Sequence, residues 1–132
     1  MSRSLPAPAR LLPALGVMGA IFLLSHQPAT DLPPLFPHFD KFAHFSIYGL
    51  LAATLVGAVP PDLRRRRPWA AVGAIILWCL AYGIADEFHQ SFIPGRYPSL
   101  ADIGADTLGA IVVSLGALVF RQPSEKTGEE TG

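Results

Sequence analysis

Four long runs of the chain carry no charged residue, and clusters of polar residues separate them. The runs cover residues 11–30, 42–61, 68–85 and 107–120, and the last reaches back to residue 100 across Asp102 and Asp106. An α-helix rises ~1.5 Å per residue, so about 20 mostly apolar residues cross ~30 Å of hydrocarbon. The pattern predicts an all-α integral membrane four-helix bundle with spans at about 10–25, 40–59, 69–86 and 100–120.

Composition supports a membrane protein rather than a buried soluble bundle. The chain has 132 residues, of which 51% are hydrophobic and 15% charged, well below the ~25% charged residues of soluble domains. Residues 1–120 therefore form one transmembrane domain in this interpretation. Residues 121–132 contain no hydrophobe, which predicts a disordered tail.

Positive residues predict the orientation. Four consecutive arginines at 64–67 follow Pro60 and Pro61 as a tight basic loop, and eight of the ten Lys and Arg residues fall on one side of the four spans. Cytoplasmic loops carry an excess of Lys and Arg. We therefore expect both termini and the tail in the cytoplasm, in a multi-pass protein of the plasma membrane.

The other side of the membrane receives most of the polar residues found at span ends. Ionisable residues beside hydrocarbon are costly and mark functional sites by default. The candidates come from three span ends that are distant in sequence but lie at one membrane level. They are Asp40, Lys41, His44, Asp86, Glu87, His89, Gln90, Arg96, Asp102 and Asp106.

Helical spacing divides these candidates by face. Asp40 and His44 are four residues apart, as are Asp102 and Asp106, so each pair shares one face of its helix. If the third helix continues past residue 86, Glu87 is rotated about 100° from Asp86. The spacing therefore predicts that Glu87 cannot serve the same pocket through the same geometry as Asp86.

The polar motifs resemble those of the VanZ-like family, small membrane proteins named after an accessory protein of glycopeptide resistance. The matching residues begin with Asp40, Lys41, His44 and Tyr48, continue with Asp86, Glu87, Gln90, Phe92, Pro94, Gly95 and Arg96, and end with Asp102, Asp106 and Gly109. Asp106 departs from the pattern, where Asn is frequent. The resemblance implies an envelope-related role, including a link to teicoplanin resistance.

Two functional interpretations stay open, so the sequence does not decide whether the protein is an enzyme. In the first, an outward-facing polar pocket binds or modifies a cell-envelope component. The binding candidates are Lys41, Glu87, His89, Gln90, Arg96 and Asp106. In the second, an outer-leaflet hydrolase or transferase uses paired carboxylates and His44. The catalytic candidates are Asp40, His44, Asp86 and Asp102.

A third interpretation is structural, because polar side chains also hydrogen-bond between membrane helices. Ser99 with Asp102 before an apolar run is a helix-start signature, and Asp40 and His44 are spaced to bond each other. His44 and His89 with Asp40, Asp86 or Asp102 are zinc ligands of acceptable type. Their spacing matches no established metal motif, so we predict no metal and no cofactor. The expected partners are the lipid bilayer and a lipid-linked or envelope ligand. Without a basic stripe, nucleic acid is not expected.

Overall fold

The computed structural model describes residues 5–28 and 36–120, and their regular elements are all α-helices. The helices are α1 (Ala7–Arg10), α2 (Leu12–Ser25), α3 (Phe39–Ala58), α4 (Pro61–Arg66), α5 (Pro68–Gln90) and α6 (Leu100–Val119). The described residues include no strand. The all-α prediction is confirmed. The predicted tail, 121–132, lies outside the described residues.

Four stretches are long and apolar enough to cross a membrane: Ala7–Ser25, Phe39–Ala58, Pro68–Gln90 and Leu100–Val119. Large apolar side chains also point outward along them instead of packing inside. They include Leu12, Leu23, Leu77, Trp78, Leu108 and Val112. Such extensive exposed apolar surface is typical of helices that face lipid. The prediction of four helices long and apolar enough to span a membrane is confirmed; the orientation of the termini stays a prediction.

Local sequence signals explain most helix boundaries. Prolines stand in the first turns of α1, α2, α4 and α5, where the missing N–H group costs nothing. The Ser99 side chain accepts a hydrogen bond from the backbone N–H of Asp102 at 3.4 Å, which confirms the predicted start of α6. His38, before α3, has a left-handed backbone with φ of 61°.

The third helix continues past residue 86 and ends at Gln90, as the conditional prediction allowed, because Asp86, Glu87 and Gln90 are all buried against neighbouring helices and the first helix-breaking residue after them is Pro94. The basic run is not a loop, since Arg64 to Arg66 form the last turn of α4. Cationic side chains there are favourable beside the helix C-terminus.

The most extensive helix contact joins α3 and α6. Gly109 makes it possible, because a Cβ atom at this position would overlap the carbonyl oxygen of Phe45. Gly49 faces the same seam, where its Cβ would lie 3.2 Å from a Val113 methyl group. Small residues allow such close approach in membrane bundles, where packing drives association. The same seam brings the polar starts of both helices together.

The polar span ends meet at one end of the bundle. The contacts there join α2 to α5 and α3 to α6, and the loop after α5 reaches the last turn of α2. The apolar core lies below them and includes Tyr48, Leu51, Ile75, Cys79 and Ala110. The polar span ends therefore lie at the same end of the bundle, as predicted.

Candidate functional site

Lys41 marks the solvent edge of the site. Its Nζ atom lies 2.7 Å from Asp40 Oδ2 and 2.5 Å from Asp102 Oδ1. The Asp40 side chain is 64% exposed and the Asp102 side chain 11%. Lys41 therefore ties the starts of α3 and α6 together and neutralises the outermost acids.

His44 lies one helical turn further in, between two acids of α6. Its Nδ1 atom is 2.7 Å from Asp106 Oδ1, and its Nε2 atom is 3.9 Å from Asp102 Oδ2. Asp106 is completely buried. The predicted Asp40–His44 pair does not form, because Asp40 turns to Lys41 and His44 turns to α6.

Asp86 projects from α5 into the same region. The Tyr48 hydroxyl donates to Asp86 Oδ2 at 3.4 Å, and the Gln90 amide donates to Ser25 Oγ at 3.2 Å. Asp86 and Gln90 are both buried. The spacing of four residues thus places both on the protein-facing side of α5, as the pattern predicted.

Glu87 reaches the same region from a different face of α5, as its rotation of about 100° from Asp86 predicts. Glu87 is only 3% exposed, and its Oε2 atom accepts the backbone N–H of Ser99 at 2.7 Å. A rotation of 100° does take Glu87 off the Asp86 face, but α6 covers that second face of α5 too. Because Glu87 caps this N–H group from another helix, Asp102 in the first turn of α6 is free to pair with Lys41.

Three of these side chains come close enough to act on one ligand. One ligand atom each from His44, Asp86 and Glu87 lies within 4.8 Å of the other two. Two carboxylate oxygens nearby, Glu87 Oε1 and Asp106 Oδ2, are buried without a hydrogen-bond partner. Buried polar atoms are nearly always paired in native proteins. We call His44, Asp86, Glu87, Asp102 and Asp106 the acid–histidine cluster.

Negative charge exceeds positive charge in the acid–histidine cluster. Its four acids are all buried, whereas Lys41 and His44 supply at most two positive charges to them. Burying an unpaired charge is expensive. The excess must be balanced by protons or by a bound positive group. This arrangement suits acceptance of hydrogen bonds from a cationic or donor-rich ligand, and proton transfer by the His44 imidazole.

Two predicted binding residues, His89 and Arg96, contact the end of α2 and the residues that follow it. His89 stacks on Phe22 with ring centroids 4.6 Å apart, and its Nε2 atom is 3.2 Å from His26 Nδ1. The Arg96 guanidinium donates to the carbonyl oxygens of Gln27 and Leu24. Both residues thus hold the end of α2 in place, and within the described ranges Arg96 forms no ion pair with an acid.

Sequence reasoning missed the residues that support the cluster. Gly83 lies directly opposite Asp106, whose Oδ2 atom would be 3.0 Å from a Cβ added there. Ser25, on a different span, joins Gln90. Neither has a signal in one sequence, because small residues are common in membrane helices.

Little of the acid–histidine cluster is exposed to solvent. Its exposed edge includes the side chains of Lys41 and His44, which are 34% and 14% exposed. A cleft lies at the opposite end of the bundle, beside Val56, Arg64 and Ser114. The predicted outward-facing pocket therefore stays a prediction, and a ligand would have to enter past Lys41.

Comparison with known proteins gives two matches. The sequence model of a protein family described as VanZ/LLP1 matches residues 9–121. An uncharacterised protein of Schizosaccharomyces pombe is 39% identical over 89 residues, which are 66% of this chain and 52% of that protein. The chain spans about half the length of this curated relative. No solved structure matches.

Proposed function

Because the chain belongs to the VanZ/LLP1 family, we propose that it is a cell-membrane protein that binds the polar headgroup of an envelope component in the acid–histidine cluster. The observation that carries this proposal is the position of His44, which has buried acids on both α5 and α6 around it. Polar contacts between membrane helices need only single pairs. Four acids around one histidine exceed what helix packing requires.

The charges of the cluster favour one class of headgroup. Lys41 is engaged by Asp40 and Asp102, and Arg96 donates to backbone carbonyl groups, so the excess of buried acids disfavours a phosphate in the acid–histidine cluster. Ionised carboxylates only accept hydrogen bonds. The ligand that fits is a headgroup rich in donors, such as an amine or a sugar.

Native mass spectrometry of protein extracted from host membranes in a mild detergent tests this binding. Wild-type protein should retain a lipid of defined mass, and Asp86→Asn should retain several-fold less. The substitution removes the negative charge and replaces one acceptor oxygen by an NH₂ donor. Asp40→Asn is the matched control, since it removes the same charge at the exposed edge. Equal retention by all three proteins would reject the proposal.

A second candidate function is hydrolysis or group transfer in the outer leaflet. It is supported by the Asp106 contact to His44 Nδ1, since a carboxylate that orients an imidazole is how many enzymes prepare a general base. His44 would accept a proton from water or a hydroxyl group, and Asp86 would supply one to the leaving group. The test is to incubate reconstituted protein with host lipid extract and to follow new products by mass spectrometry.

The two functions differ in what Asp86→Asn does. If the protein is an enzyme, the variant should stop product formation while a lipid stays bound. If it is a binding protein, no product forms with either protein and retention falls. The link to teicoplanin resistance also stays a prediction. Expression of the wild-type protein in a susceptible bacterium should raise the inhibitory concentration of teicoplanin, and expression of Asp86→Asn should not.

A further inference from the structure

We infer that His44, Asp86 and Glu87 form a binding site for a divalent transition-metal ion. This inference concerns the acid–histidine cluster and deepens the proposed function, because it names a group that would balance the excess negative charge. The three residues come from two helices that the fold holds together. None of their sequence spacings matches an established metal motif, so the site depends on tertiary structure.

The donor set has the right chemistry for such an ion. Imidazole nitrogen together with carboxylate oxygen suits zinc, manganese and iron, whereas calcium and magnesium prefer oxygen alone. The ligand atoms lie within 4.8 Å of one another. Ligands ~2.1 Å from a tetrahedral ion are roughly 3.4 Å apart. Small side-chain rotations would therefore complete the site without movement of a helix.

An independent observation points to a missing partner. Glu87 is 97% buried, being 3% exposed, and its Oε1 atom has no hydrogen-bond partner. Its other oxygen accepts the Ser99 N–H, so the side chain is held in place with one acceptor unused. Asp106 Oδ2 is likewise buried without a partner. A positive ion would satisfy acceptors that packing leaves empty.

Neighbouring groups already orient the three ligands. Asp106 accepts from His44 Nδ1 in the tautomer that leaves Nε2 with its lone pair, an arrangement common in metal sites. Tyr48 donates to Asp86, and Ser99 donates to Glu87. Such outer contacts fix ligand geometry and raise affinity by about 10–100-fold. The cluster thus contains both ligands and supporting residues.

Titration calorimetry with Zn²⁺ tests the inference on protein stripped with a chelator in detergent. Wild-type protein should bind one ion per chain. Glu87→Gln and His44→Gln should weaken binding at least about tenfold, and Asp106→Asn by a similar factor through the histidine. Asp40→Asn, the matched control, should bind like wild type. Undiminished binding by Glu87→Gln would place the ion elsewhere and overturn the inference.

A spectroscopic measurement on wild-type protein avoids dependence on the folding of variants. Co²⁺ should give a visible absorption band that Zn²⁺ displaces at one equivalent, and the absence of a band would overturn the inference. Native mass spectrometry distinguishes failure of the metal site from failure of the proposed function. If chelator-treated protein retains a lipid but binds no Zn²⁺, headgroup binding is supported and the metal site is rejected. If the protein binds Zn²⁺ but retains no lipid, the metal site is supported and headgroup binding is rejected.

Discussion

His44 on α3 and Asp106 on α6 form a buried contact of 2.7 Å between Nδ1 and Oδ1. They are 62 residues apart in sequence, and no local pattern pairs them. The close seam at Gly109, less than one turn of α6 away, allows the two helices to come near enough. The packing of small residues thus positions His44 among the buried acids.

We predict that Asp106→Asn preserves the fold and Asp106→Leu does not. The amide oxygen of Asn still accepts from His44, whereas Leu leaves a buried donor unpaired, at a cost of about 1–3 kcal/mol. Thermal unfolding of the purified variants in detergent measures the difference. Equal melting temperatures for the two variants would show that the contact contributes nothing to stability.

Gly109→Ala should destabilise the protein by about 1–3 kcal/mol, because its Cβ would overlap the Phe45 carbonyl oxygen and force α3 and α6 apart. Gly116→Ala in the same helix is the matched control, since no atom lies within 4 Å of a Cβ there. Its melting temperature should equal or slightly exceed that of wild type. A Gly109→Ala protein as stable as this control would contradict the close seam.

Arg96→Ala should lower stability without loss of ligand binding. The guanidinium supports the end of α2 through the carbonyl groups of Gln27 and Leu24, a contribution of about 1 kcal/mol at a partly exposed position. Arg96→Lys should keep part of this contribution to stability. Lipid retention by Arg96→Ala, measured by native mass spectrometry, should match wild type. Loss of lipid retention in this variant would show that Arg96 takes part in ligand binding.

Topology can be tested with single cysteines in a Cys79→Ser background. A cysteine replacing Tyr97, which is 83% exposed, should react with an impermeant thiol reagent in intact cells. A cysteine replacing Asp62, beside the basic run, should react only after lysis, as the distribution of Lys and Arg predicts. The opposite result would place the acid–histidine cluster on the cytoplasmic side.

The sequence predicted the fold well because a membrane-spanning helix requires a long uncharged run of residues, which can be read directly from the sequence. Uncharged runs long enough to cross the hydrocarbon core identified all four spans. The motif at Ser99 identified the start of α6. The end of α5 was left open by the sequence, because burial of Glu87 and Gln90 in tertiary contacts keeps α5 helical beyond its apolar part.

The composition of the cluster could be predicted only in part. Helical spacing correctly grouped Asp102 with Asp106 and Asp86 with Gln90, because these relations lie within one helix. It also placed Glu87 on a different face from Asp86, but it did not predict that Glu87 would be buried as well, because burial of a second face depends on the neighbouring helix α6. The pairing partner of His44 depends on the rotation of α3 against α6. That rotation cannot be read from the local pattern of a single sequence.

The central claim is that the acid–histidine cluster is built to hold a ligand and not to join helices. The most direct measurement is the melting temperature of Glu87→Gln and wild type in a chelating buffer and then with added Zn²⁺. Glu87→Gln keeps the acceptor for Ser99 but removes one of four buried like charges, so it should melt at or above wild type in chelator. Zn²⁺ should then raise the melting temperature of wild type only. A variant several degrees less stable than wild type in chelator, with no effect of Zn²⁺ on either protein, would show that these acids serve only to hold the helices together.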